Sequence, residues 1–274
     1  MKKNVGKLLL GLGVAVGVPL YLLLPGAATP RQRAPFCGVN YAHRGLHSRD
    51  KSVPENSLAA FTLAARAGYG VELDARLTKD GQVVVFHDDT LERVCGVEGR
   101  VQDLSYDELS RLRLCGTGQR IPLLTEALKA IRGAGPLIVE LKGGKRDREL
   151  CEKTYAILEQ YRGEVCVESF NPFIVAWFRF HGRDLLRGQL SAGTEEFMRG
   201  GMGRLQACAL SHNLFNPIAR PQFIAYQIGR RPLNVRLTEA LGALRFGWTS
   251  HEPRNEKGRD GVIFEFYKPK LRFK

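Results

Sequence analysis

A chain of 274 residues and 30.6 kDa, 44% hydrophobic and 25% charged, has the makeup of a folded globular protein. These values exclude a disordered tail, a collagen-like rod and a multi-span membrane protein. The formal charge of +13 suggests an anionic partner. Most of it lies in two tails, +5 over residues 1–36 and +4 in the closing KPKLRFK, which argues against the basic stripe of a nucleic-acid binder.

In chain order, the first feature is an uncharged stretch whose apolar part covers residues 8–24, LLLGLGVAVGVPLYLLL. At about 1.5 Å per residue this is near the lower limit for crossing a bilayer core of about 30 Å. Lys2, Lys3 and Lys7 precede it, and Gly26-Ala27-Ala28 behind it resembles a small-residue cleavage site. The expectation is an N-terminal hydrophobic helix acting as a single-pass membrane anchor, with a cleaved secretory signal as the alternative. Basic residues on both sides leave its orientation open. Residues 1–36 are thus expected to be anchor and linker, and residues 37–274 the functional domain.

After the linker, apolar runs alternate with amphipathic stretches. Strands are expected at 39–43, 70–76, 82–87, 136–142, 164–170, 186–191, 205–211, 245–249 and 261–264. Helices are expected at 57–67, 125–132, 148–161, 172–179 and 238–244. Alternation of this kind means a parallel sheet, and some eight units suit a (β/α)8 TIM barrel, an α/β fold. Nine strands are one too many, and the surplus is expected near the C-terminus. Two irregularities stand out. The turn LTKDG between the second and third strands is too short for a crossover helix. Residues 88–120 read as an insertion with a helix at 105–114, capped by Ser105 and Glu108.

The six cysteines, Cys37, Cys95, Cys115, Cys151, Cys166 and Cys208, are widely and irregularly spaced without a C-x-x-C pair. They are expected to be reduced thiols, which tilts the functional domain towards the cytoplasm.

The chemistry concentrates at strand ends. Glu72 and Asp74 lie two apart on one strand, so period-two geometry turns both carboxylates to one face. Glu140 ends another apolar run and points into the same mouth. Three carboxylates without clustered cysteine or histidine ligands suit a hard divalent cation, Mg²⁺ or Ca²⁺. His43 and His87 both terminate strands, a placement suited to general acid and base work. Arg44 and Lys142 add fixed positive charge that complements a phosphate oxygen. His47, His181, His212 and His251 lack such context and are expected at the surface or in loops.

These residues form an ordered array: His43-Arg44-Gly45, Pro54-Glu55-Asn56-Ser57, Glu72-x-Asp74, Thr78-x-Asp80-Gly81, His87-Asp88 and Glu140-x-Lys142. The array closely resembles the glycerophosphodiester phosphodiesterase family, which is related to phosphatidylinositol phospholipases. The resemblance runs from about Tyr41 to Phe264 and includes Ser169-Phe170 and Trp248-Thr249. It implies an irregular TIM barrel whose Glu72, Asp74 and Glu140 hold one divalent cation. It also implies His43 and His87 as the acid and base pair, and Arg44 and Lys142 as phosphodiester contacts. The implied reaction is hydrolysis of a glycerophosphodiester to glycerol 3-phosphate and an alcohol, by water or by the substrate's own neighbouring hydroxyl. A lysophospholipase D-like reaction at the membrane is the alternative, and an inert headgroup-binding barrel is a more distant one. Val94-Cys95 and Ser250-His251 depart from the family pattern, away from the chemical centre.

Overall fold

The computed structural model describes residues 20–273. Eight parallel strands close into a barrel: β1 (Val39–Ala42), β2 (Gly70–Leu77), β4 (Leu137–Leu141), β5 (Val165–Ser169), β6 (Leu186–Ser191), β7 (Phe223–Gln227), β8 (Leu244–Ser250) and β9 (Gly261–Phe264). Pairing of β1 with both β9 and β2 completes the ring. The intervening β3 (Val83–Val85) stands outside it, antiparallel to β2. The expected TIM barrel is therefore present, and the short LTKDG segment makes a hairpin. There Thr78 Oγ1 accepts from Gln82 N at 2.8 Å, and Gly81 takes a positive φ of 77°.

Period-two alternation sorts the strand residues. Tyr41, Ile138, Cys166, Leu186, Phe223 and Phe246 fill the barrel interior with Phe36 from the linker. Val71, Leu73, Val139, Leu141 and Val167 point outward, under the helices. The helices begin where the sequence provides caps. Ser57 Oγ accepts from Ala60 N for Leu58–Ala67, which Gly68 ends in the left-handed region, and Asn171 caps Pro172–His181.

Two expectations are corrected. The run at 205–211 is helical, Arg204–Ser211, with Ala207, Leu210 and Ser211 buried and Leu205 fully exposed; a strand buried on both faces could not expose such a leucine. The strand that belongs there is Phe223–Gln227, which was not expected. The helix expected at 238–244 runs instead over Leu233–Ala240, and Leu244 already opens β8. Residues 88–120 form a satellite core in which Leu91, Val94, Val101, Leu109 and Leu114 pack on Val84 and Phe86. The Ser105–Glu108 capping box is present, on a helix of one turn, Tyr106–Ser110. Cys151 and Cys166 are buried and Cys208 is exposed.

The expected anchor at 8–24 lies largely outside the described residues. No helix among the described residues is long and apolar enough to cross a membrane.

Candidate active site

The C-terminal ends of the strands surround a cavity of about 420 Å³. One side is charged, with His43, Arg44, Glu72, His87, Glu140, Lys142 and Glu168. The rest of the lining is largely apolar, with Phe170, Leu190, Phe197, Met202, Trp248 and Ile263, and carries one acid, Glu196. This is where βα loops place reactive groups in a barrel of this kind. Six of the seven residues singled out from the sequence line the cavity, and the seventh, Asp74, is buried against Arg44 and Lys142.

The acidic cluster follows from strand register. Asp74 pairs across to Glu140, and Glu140 to Glu168, so three inward-facing carboxylates form one cross-strand row. Glu72 sits one inward position below Asp74, and ligand oxygens of Glu72, Asp74 and Glu140 lie within 4.8 Å of one another. Burial, together with Asp74 and Glu140, pushes the Glu72 carboxyl well above its usual range. Burial raises Glu140 too, against the pull of Lys142, and it holds Glu168 well above the carboxylate range. Asp74 goes the other way. Burial would raise it, but Lys142, His87, Arg44 and a 2.7 Å bond from Asn56 Nδ2 outweigh that and hold it well below.

Lys142 Nζ lies 2.9 Å from Asp74 Oδ1 and 2.6 Å from Glu140 Oε1, and Arg44 Nε lies 3.4 Å from Asp74 Oδ2. A divalent cation held there would let Glu72 and Glu140 ionise beside Asp74, offsetting the burial and repulsion that raise them. Glu168 Oε2 is buried with no hydrogen-bond partner, another sign that the cluster suits a cation. An all-oxygen donor set fits Mg²⁺ or Ca²⁺.

The turn after β1 places two functional groups. Arg44 and Gly45 both take left-handed φ values, 53° and 79°, and a Cβ on Gly45 would lie 2.8 Å from that of Ala60. This reversal lets Arg44 N donate to Glu72 Oε2 at 2.9 Å, while its guanidinium donates to Glu55 at 2.7 Å. His43 Nδ1 lies 3.1 Å from Glu265 Oε2. Burial, only partly offset by Glu265, lowers the His43 ring to about 4, so it is neutral at pH 7.

His87 follows β3, and its Nδ1 lies 2.7 Å from Asp88 Oδ1. Arg93 of the insertion bridges Asp88 and Glu55, so residues 88–120 brace both sides of the mouth. Arg76 donates twice to the His87 carbonyl and fixes its backbone.

The structure adds groups that the sequence did not single out. Glu168 occupies the same strand-end position as Glu140, and the alternation of VCVES carried that signal. Glu265 directly follows β9, one residue past the expected strand. His47, expected to be peripheral, is largely buried with Nε2 3.3 Å from Glu265.

A family profile described as the glycerophosphoryl diester phosphodiesterase family matches residues 43–266. A glycerophosphodiester phosphodiesterase of Caldanaerobacter subterraneus subsp. tengcongensis is 38% identical over 144 residues, 48% of this chain and 58% of that protein. Lysophospholipase D GDPD1 of Homo sapiens is 34% identical over 158 residues, 53% of this chain and 48% of that one. The chain therefore spans about half to three-fifths of the length of these curated relatives. An Oleispira antarctica phosphodiesterase solved with sn-glycerol-3-phosphate shares the fold, with TM-score 0.69 and 24% identity over 85% of this chain and 94% of that one. With the profile running from His43 to just past Glu265, its partner across the closure of the ring, this chain belongs to the glycerophosphoryl diester phosphodiesterase family.

Proposed function

We propose that the barrel hydrolyses glycerophosphodiesters to glycerol 3-phosphate and the corresponding alcohol. The observation that carries this reading is the convergence of two histidines, the carboxylate row and two cations on one cavity large enough for such a substrate. Glu72, Asp74 and Glu140 would hold a divalent cation, which when bound supplies Lewis-acid polarisation of a phosphoryl oxygen. Arg44 and Lys142 orient and neutralise the phosphodiester. His43, neutral at pH 7 and steered by Glu265, accepts the proton of the attacking hydroxyl. His87, oriented by Asp88, donates a proton to the departing alkoxide. The roles fit attack by water and by the neighbouring hydroxyl of the glycerol equally well.

The test is alcohol release from glycerophosphocholine by the full chain, with and without chelator. Metal-dependent release, lost in His43→Ala, supports the reading; release that persists in that variant at the wild-type rate contradicts it.

A second reading, hydrolysis of lysophospholipids, is favoured by the largely apolar lining of Phe170, Leu190, Phe197, Met202 and Trp248, which shares the cavity with the charged side. A higher kcat/KM on lysophosphatidylcholine than on glycerophosphocholine would select it. We also read residues 8–24 as a retained single-pass anchor.

A further inference from the structure

The last turn of the apolar stretch and the chain that leaves it are fastened to the barrel at a definite place. Gly26 N donates to Pro221 O at 3.0 Å, and Gln222 Nε2 donates to Ala27 O at 2.7 Å. Asn216 Nδ2 donates to the carbonyls of Leu22 and Leu24 at 2.7 and 3.0 Å. The Arg220 guanidinium donates to the carbonyls of Tyr21 and Leu24 and lies 4.3 Å from the Tyr21 ring centre. Asn216, Arg220 and Gln222 are all buried, and a Cβ at Gly26 would come within 2.4 Å of Arg220 O. This is a built seat for the strap, and the backbone of Gly26-Ala27 is engaged in it. The seat immediately precedes β7, on the face where strands begin, opposite the mouth.

The described parts of both basic tails meet on that same face. Arg31 lies in the linker helix ahead of β1, and Arg272 at the other end of the chain bridges to Val39, the first residue of β1. Loops entering β4, β5 and β6 add exposed Arg132, Arg162 and Arg183, next to the acids Glu164 and Asp184. Leu20, Tyr21, Leu22 and Phe180 are exposed there as well. Cations mixed with exposed apolar side chains at the exit of an apolar span complement an anionic bilayer surface.

We infer that the barrel stands with its base on the membrane that holds residues 8–24, so that the catalytic mouth opens away from that membrane. The inference rests on the reading of residues 8–24 as an anchor. Strands that average between five and six residues, at about 3.3 Å each and tilted by about 36°, set the mouth roughly 15 Å further from the bilayer than the base. The enzyme would then draw its diesters from the aqueous phase or from a facing surface, not from the leaflet beneath it.

The test uses the full chain in phosphatidylcholine/phosphatidylglycerol vesicles with brominated acyl chains, which quench only tryptophans near the bilayer. In a Trp177→Phe background, native Trp248 reports on the mouth, and Phe180→Trp adds a reporter at the base. The expected result is at least twofold quenching of the base reporter and little of Trp248. Arg162→Glu with Arg183→Glu is expected to weaken that quenching in anionic vesicles and to leave it unchanged in pure phosphatidylcholine. Strong quenching of Trp248, or recovery of the chain unquenched in the supernatant, overturns the inference. Hydrolysis of soluble glycerophosphocholine is assayed in the same samples. Its absence would count against the proposed activity and leave the orientation standing.

Discussion

Asp74 and Glu140 face each other in register on neighbouring parallel strands, and a single ammonium group, that of Lys142, spans the two carboxylates. Lys142 is a counter-ion to the acidic row and, in the proposed reaction, a substrate contact as well. Replacement by Met leaves buried charge uncompensated, at a cost of about 3–5 kcal/mol in the metal-free protein. Thermal unfolding of chelated Lys142→Met should show this loss, and added divalent cation should recover more of it than in the wild type.

His43 and His87 should each be needed for turnover and dispensable for the fold. Alanine at either position should lower kcat by about 10²–10⁴. A divalent cation should still raise the melting temperature of both variants, because the carboxylates that would hold it are untouched. Loss of the thermal shift in His43→Ala would move that residue into the metal site.

Glu265 touches the reaction only through its neighbours, so it is a positioning residue. Its carboxylate holds the His43 ring and supports its proton affinity against burial. Glu265→Gln keeps the shape and removes the charge. The expected outcome is a fall of about tenfold to a hundredfold in kcat, in line with loss of an outer partner that orients a reacting group, with KM nearly unchanged. A change confined to KM would instead place Glu265 against the substrate.

Burial holds the Glu168 carboxyl protonated well above its ordinary value of 4.5. Above that value the unfolded chain gives up a proton that the fold retains, so this residue makes the metal-free protein less stable as pH rises. Glu168→Gln removes that term. Chelated Glu168→Gln should melt higher than the chelated wild type at pH 7, with the gap closing towards pH 4. A gap that is constant with pH would mean that Glu168 is ionised in the fold.

Metal dependence gives a direct check on the acidic row. Chelator should abolish hydrolysis, and Mg²⁺ or Ca²⁺ should restore it in the wild type. Asp74→Asn should lose both the restoration and the thermal shift, measured by activity and by scanning calorimetry.

Much of this site was legible in the sequence because a barrel strand turns alternate residues to one side, so acids at Glu72, Asp74 and Glu140 inside apolar runs could face only inward. Glu168 obeys the same rule, but as a lone acid in the run VCVES, with no second charge two residues away, it carries no local signal of its place in the row. The exchange of Phe223–Gln227 for 205–211 had a different cause. Short apolar runs look alike whether wound or extended, and the i, i+3, i+4 burial of Ala207, Leu210 and Ser211 emerges only from packing. Glu265 and His47 were out of reach, since their meeting depends on β9 closing against β1 from the far end of the chain.

The hairpin that sets β3 outside the ring has a mechanical consequence. His43 is mounted on the closed wall, whereas His87 hangs from an outrigger seated on the satellite core of residues 88–120. The spacing of the two imidazoles therefore depends in part on how that small core sits against Val84 and Phe86. Repacking at Leu91 or Leu109 could retune the spacing of the two imidazoles while every ladder of the barrel stayed in register.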